Sequence, residues 1–235
     1  MPNAVKRDRS RLERMLERER GLHAAGYRLV AGVDEAGRGP LAGPVVAAAA
    51  ILDLADAAVA KPEFDWLADI FDSKQLSATG RETLYELIMA EHSPFHVGIG
   101  MRDHEAIDRI NILRATFEAM TEAVGGLDCT PDFVLVDGTR TPEVPMPSDH
   151  VVKGDSRCVC IAAASIVAKV TRDRIMTELA RTHPEYGFDG HKGYGTKEHI
   201  EAIRRHGRSA VHRRSFKVAR IDQPGLWDDR GGGAG

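Results

Sequence analysis

Three features of the 235-residue sequence predict an α/β fold. Short apolar runs of strand length alternate with apolar stripes at helical spacing, Gly and Pro punctuate the joins, and several of the runs end on a carboxylate. Taken in order, residues 5–20 alternate charges densely around Leu12, Met15 and Leu16, which predicts a surface helix. Leu29 to Val33 and Val45 to Leu52, separated by Gly and Pro, predict two strands of one hairpin, with Asp34 and Glu35 at a strand end. Thr79 and Glu82 have capping-box spacing, and Leu84, Leu87 and Ile88 continue a stripe, so a helix is expected over about 80–91. Phe95 to Met101 alternates as a strand. Ile107, Ile110, Leu113, Phe117, Met120 and Val124 predict one long helix. Phe133 to Val136 is a buried-strand run ended by Asp137, and Pro142, Pro145 and Pro147 force a loop after it. Val159 to Leu179, rich in Ala, Ile and Val and free of Gly and Pro, predicts a buried helix.

Composition sets the outer bounds. Apolar residues make up 43% and charged residues 29%, values that exclude a disordered or fibrous chain. Three cysteines (Cys129, Cys158, Cys160) are too few for a disulfide framework, and a buried core role is expected for the Cys158-x-Cys160 pair, because no His pair stands at zinc-ligand spacing beside them. The charged N-terminus lacks the apolar segment of a secretory signal, and the longest apolar run, Leu41 to Leu52, contains Pro44 and is short of the roughly 20 residues a span needs. A cytoplasmic protein without a membrane segment is expected. The closing Gly231 to Gly235 has nothing to pack and should be disordered.

Four carboxylates stand at element ends: Asp34, Glu35, Asp137, and Asp155 just before the Ala-rich helix. A single acidic residue in such a turn is ordinary solvated surface. Four that converge beyond the strand ends would repel one another unless a hard divalent cation neutralised them, and oxygen ligands suit Mg²⁺ or Mn²⁺. Asp173 does not belong to the set. At roughly 1.5 Å per helical residue it lies about 27 Å from Asp155, and Lys169 one turn earlier is its expected partner.

The segment Val33-Asp34-Glu35-Ala36-Gly37-Arg38-Gly39-Pro40-Leu41-Ala42-Gly43-Pro44-Val45-Val46-Ala47 resembles the signature of the type 2 ribonucleases H, the bacterial ribonuclease HII family. Further blocks match in order: Asp72 to Leu76, Val136-Asp137-Gly138, Lys153-Gly154-Asp155 with Ala162 to Val170, and His191 to His199. The resemblance implies a ribonuclease H-like fold, a mixed five-stranded sheet flanked by helices with a helical C-terminal part. On that basis residues 1–27 form a charged N-terminal extension, 28–220 the catalytic domain with its substrate-binding part, and 221–235 a flexible tail. It also implies hydrolysis of the RNA strand of RNA/DNA hybrids, and cleavage of duplex DNA 5′ to single embedded ribonucleotides. Two divalent ions, Mn²⁺ or Mg²⁺, would be held by Asp34, Glu35, Asp137 and Asp155. The Gly37-Arg38-Gly39 loop matches the element that reads the 2′-hydroxyl. Tyr194 matches a tyrosine that packs on the following deoxyribose, and Lys74, Ser165, Lys169 and Lys192 match family positions and are candidates for phosphate contact. His183, His191, His199 and His212 are assigned to structure or phosphate contact, since in this family metal-bound water is the nucleophile. A monomer is implied.

Other readings fit less well. A ribonuclease HIII carries a sizeable domain ahead of its acidic pair, whereas 33 residues precede Asp34 here. An inactive binding module is disfavoured by the presence of all four carboxylates with the loop and Tyr194. A nucleotide-binding module would need a Gly-x-x-x-x-Gly-Lys-Ser/Thr segment, which is absent. The formal charge of -3 conceals polarity: residues 191–220 hold nine Lys and Arg against Glu198 and Glu201, and residues 1–20 hold seven basic residues against four acidic ones. The basic C-terminal stretch is the expected site for a duplex backbone.

Overall fold

The computed structural model describes residues 9–53 and 61–222. A helix α1 (Arg9–Ala24) precedes strands β1 (Val30–Ala36) and β2 (Val45–Leu52), then a 3₁₀ helix (Pro62–Asp69) and α2 (Ala78–Ile88). Strand β3 (Phe95–Arg102), helices α3 (His104–Ile110) and α4 (Ile112–Gly125), and strands β4 (Phe133–Asp137) and β5 (Ser148–Val151) follow. The long α5 (Val159–Thr182) leads to short α6 (Phe188–His191), α7 (Lys197–His206) and α8 (Ala219–Asp222). The sheet order is β3-β2-β1-β4-β5, with β1 antiparallel to β2, β2 antiparallel to β3, and β4 parallel to both β1 and β5. This is the mixed five-stranded sheet that the resemblance implies.

Strand β2 is buried along its whole length, so its eight apolar residues serve two cores. Ala48, Ala50 and Leu52 face α5, α1 and α2, while Val45, Ala47, Ala49 and Ile51 face α3 and α4. Small residues on the sheet let α5 approach closely. At Gly32 any Cβ would run into the Cys160 backbone. Cys158 and Cys160 are buried against Leu135 and Ile161, as expected of core cysteines, and burial pushes the Cys158 thiol up to about 12.

Several local expectations need correction. The α2 N-cap is Ser77, whose hydroxyl accepts from the Gly80 N–H at 3.0 Å; Thr79 lies inside the helix, where its carbonyl accepts from Thr83. The predicted long helix over 107–124 is two helices, because Asn111 adopts φ 67° and caps α4 by accepting from the N–H groups of Leu113 and Arg114. Strand β5, for which the sequence carries no expectation, begins right after the loop over 142–147; only Val151 of its 4 residues is buried, so no apolar alternation announces it. The expected surface helix α1 docks on the core through Leu12, Met15 and Leu16, and its buried Glu19 accepts from the Cys160 N–H at 3.0 Å at the start of α5. Gly231 to Gly235 lie outside the described residues.

Candidate active site

The acidic centre forms where β1 outruns its neighbour. Val33 pairs with Val136 in the parallel register, so Asp34 and Asp137 are the next residues on adjacent strands and point to the α5 face. Glu35, one residue on, points to the α4 face. The fourth carboxylate arrives by a turn: Lys153 in the left-handed conformation starts a 3₁₀ turn, Gly154–Ser156, whose Gly154 N–H donates to Asp137 Oδ1 at 2.6 Å and so sets Asp155 beside it.

Asp34 is fully enclosed, and burial followed by repulsion from Glu35 and Asp137 pushes its carboxyl well above the usual carboxylate range. Burial also raises Glu35, with Arg38 pulling it back across a 3.3 Å contact. Burial raises Asp137, and Asp155 adds to the shift while the Gly154 N–H opposes it. A second cation reaches in besides Arg38. Lys74 Nζ lies 3.2 Å from Asp155 Oδ2, and the attraction of Asp155, Asp34 and Asp72 outweighs partial burial to raise its ammonium. Among the described residues no three of these carboxylates bring one oxygen each within 4.8 Å of one another. Asp34 and Asp155, buried, and Glu35 and Asp137, half-buried, with Lys74 and Arg38 as the nearby cations, form an oxygen donor set that fits hard divalent cations, whose charge would offset the burial and mutual repulsion of the carboxylates.

The substrate-side candidates fall around this centre. The block Asp72 to Leu76 is tied by bonds from the Lys74 N–H and Gln75 Nε2 to Asp72, and by Arg81 donating to the carbonyls of Ser73 and Leu76. Ser165 is buried, shares a 2.9 Å hydrogen bond with Ser73, and its hydroxyl pulls the Asp34 carboxyl back against the effect of burial. Lys169 pairs with Asp173 at 2.7 Å, as the spacing predicts. Lys192 donates to Thr177 Oγ1 and turns the chain with φ 52°. Tyr194 is exposed, and its ring lies over Gly39, 3.7 Å from where a Cβ would stand. Beside Glu35 and Asp137 a cleft of about 340 Å³ is lined by Arg38, Thr116, Phe117 and Arg140. Arg140 carries no signal in the sequence beyond following Gly138.

The basic stretch is only in part a surface. Arg213 is buried, Arg208 donates to the carbonyls of Arg213 and Phe216 and pairs with Asp222, and Arg205 pairs with Glu201. Lys197, Arg204, Arg205, Arg214 and Lys217 remain exposed. The histidines are structural. Burial pushes His199 down to about 4 and His212 down to about 3; the two rings meet Nε2 to Nε2 at 3.0 Å, and His191 stacks on His199. Cys129 does have a histidine beside it, since β3 brings His96 next to Asp128 and Cys129; His96 Nδ1 and Asp128 Oδ1 form an ordinary 2.7 Å pair at the opposite end of β3 from the acidic centre.

A profile described as Ribonuclease HII matches residues 31–219. A ribonuclease HII of Bacillus cereus is 44% identical over 212 residues, covering 90% of this chain and 78% of the relative. One of Acetivibrio thermocellus is 48% identical over 198 residues, covering 84% and 73%. The crystal structure of a ribonuclease H2 from Pyrococcus horikoshii superposes with a TM-score of 0.63 at 29% identity, covering 82% of this chain and 95% of that one. With a matching profile over most of its length, relatives in two bacteria and a fold that superposes on that of a ribonuclease H2, the chain belongs to the ribonuclease HII family, enzymes with ribonuclease H activity on RNA/DNA hybrids.

Proposed function

We propose that this ribonuclease H hydrolyses the phosphodiester 5′ to a ribonucleotide, both within RNA/DNA hybrids and at single ribonucleotides embedded in duplex DNA, and so serves ribonucleotide removal during DNA replication and repair. The observation that carries the reading is the convergence of Asp34, Glu35, Asp137 and Asp155 next to the Gly37-Arg38-Gly39 loop, whose Arg38 and Gly39 are exposed and which Tyr194 roofs. Those four carboxylates would hold two divalent ions, Mn²⁺ or Mg²⁺. When bound, such ions activate water at neutral pH and stabilise charge on the attacking and departing oxygens.

The remaining work falls to the chain's own groups. Ser165 and the Gly154 N–H keep Asp34 and Asp137 in place. Lys74, on a tied loop but with an exposed side chain, can exchange Asp155 for a phosphate oxygen. Arg38 and Arg140 flank the cleft and supply cations for the backbone. The loop's main-chain groups meet the 2′-hydroxyl, the one group that distinguishes the sugars, and the Tyr194 ring packs on the next deoxyribose. Water adds to phosphorus as the bond to the 3′-oxygen breaks, leaving a 3′-hydroxyl and a 5′-phosphate.

The test is a DNA duplex with one ribonucleotide, incubated with Mg²⁺ or Mn²⁺ and mapped at nucleotide resolution. A single cut 5′ to the ribonucleotide, abolished by Asp137→Asn, is expected. No cut there, or undiminished cutting by the variant, overturns the reading.

A further inference from the structure

Arg172 and Arg213 are the largest side chains fully buried in the described residues, and neither forms an ion pair there. Buried guanidiniums normally sit opposite carboxylates. Here the partners are backbone carbonyls. Arg213 donates from Nη2 to Gly37 O at 2.6 Å and Pro44 O at 3.1 Å, from Nη1 to Arg38 O at 3.0 Å, and from Nε to Gly43 O at 2.9 Å. Arg172 donates to Pro44 O at 2.9 Å, Ala42 O at 3.1 Å and Lys192 O at 3.0 Å. Backbone bonds braid the same segments together, from Leu41 N–H to Gly193 O, Gly43 N–H to Val211 O and Arg213 N–H to Leu41 O. The two side chains thus fix the loop after β1 relative to the turn that carries Tyr194.

The orientation of the peptide units follows from these bonds. There are no cis peptides, and in a trans peptide the C=O and the following N–H point in opposite directions. Arg213 takes two consecutive carbonyls, those of Gly37 and Arg38, from the interior. The N–H groups of Arg38 and Gly39 are therefore turned outward as a pair, and among the described residues neither donates to another protein atom. Gly37 is itself dictated by this arrangement: it has φ 97°, and a Cβ there would occupy the position of the Arg172 guanidinium. Two buried positive charges lie behind an outward pair of donors, under the Tyr194 ring, in an arrangement suited to an oxygen atom of the substrate.

We infer that Arg213, backed by Arg172, is the positioning residue that confers selectivity for the ribose 2′-hydroxyl, by holding the Arg38 and Gly39 N–H groups outward at a set spacing from Tyr194. This rests on the reading that the 37–39 loop meets the substrate sugar. Lysine would keep the charge but cannot span carbonyls from Gly37 to Gly43, because the planar fork with its fixed donors is what reaches them all.

The experiment compares affinities in an uncleaving Asp137→Asn background with Mg²⁺. Fluorescence anisotropy gives Kd for a DNA duplex with one ribonucleotide and for the same duplex in all-DNA form, with and without Arg213→Lys. The parent should prefer the ribonucleotide duplex. In Arg213→Lys that preference should fall roughly tenfold or more, the equivalent of one or two hydrogen bonds to the hydroxyl, while all-DNA affinity stays within about twofold. Should circular dichroism show Arg213→Lys unfolded, Arg172→Lys is read by the same criteria. A variant that retains the parent's preference, or that loses affinity for both duplexes equally, overturns the inference. A parent with no preference overturns the loop's assignment to the sugar, and the inference with it.

Discussion

The acidic centre and the arginine pair both bury charge close to the same strand end, yet they are satisfied in opposite ways. Around Asp34 the nearest titratable groups are two more carboxylates, and burial and repulsion together disfavour its charge. Around Arg213 the partners are four carbonyl oxygens, one of them, Pro44 O, shared with Arg172, so burial is compensated by dipoles that cannot leave. The first cluster is completed only by something added to the protein; the second is complete as folded. On the proposed reading, that contrast separates a reactive centre from a frame that aims substrate at it, even though both place charged residues in the interior.

Four outcomes would sharpen or break the contrast. The largest is expected at Asp34→Asn. If Asp34 ligates metal as proposed, its loss should lower cleavage by about 10³-fold or more, while the melting temperature in EDTA rises by a few degrees, because an uncompensated buried charge is gone. A fall in that melting temperature would show the acidic centre to be self-satisfied. The mirror change, Arg213→Met, should lower stability by about 3–5 kcal/mol in urea melts, since it strands buried carbonyls; near-neutral stability would remove the difference between the clusters.

Acid should act on the histidine lobe next. His199 and His212 have folded values of about 4 and about 3, below the unfolded 6.5, so their contribution is complete above pH 6.5 and is lost as pH falls toward those values. The slope is at most about 1.4 kcal/mol per pH unit for each ring. The carboxylates carry the opposite sign: raised folded values make their cost present above the unfolded range and relieved as pH falls. Asp34→Asn in EDTA should therefore lose stability more steeply than wild type between pH 6.5 and 5, and equal slopes would contradict the assignment of the two signs. The smallest effect is at Tyr194→Ala, which should lower cleavage at a single ribonucleotide by about tenfold with melting unchanged, because the ring is exposed and packs mainly over Gly39. Unchanged cleavage would remove the ring from the substrate side.

Much of this organisation is legible in the residues. The hairpin of β1 and β2, the buried α5 and the carboxylates at strand ends follow from runs and periodicities that a strand or helix imposes within a few residues. The break at Asn111 was hidden because Ile110 and Leu113 keep the apolar rhythm across it, while a side-chain cap and a positive φ decide the geometry. Strand β5 has no alternating pattern, for it adds to the sheet edge through β4's backbone hydrogen bonds. The cationic count over 191–220 was sound as arithmetic, but only the fold separates Arg213, whose guanidinium is enclosed by carbonyls, from Arg214, which faces solvent.

By itself, then, the sequence determined the α/β class, the acidic set and the family resemblance, because each depends on residue type and short spacing. Only the tertiary structure decided which charges are internal, since Gly37 and Arg213 are 176 positions apart in the chain and meet at 2.6 Å. Burial and hydrogen-bond partnership are properties of packing between distant segments, and no local pattern encodes them.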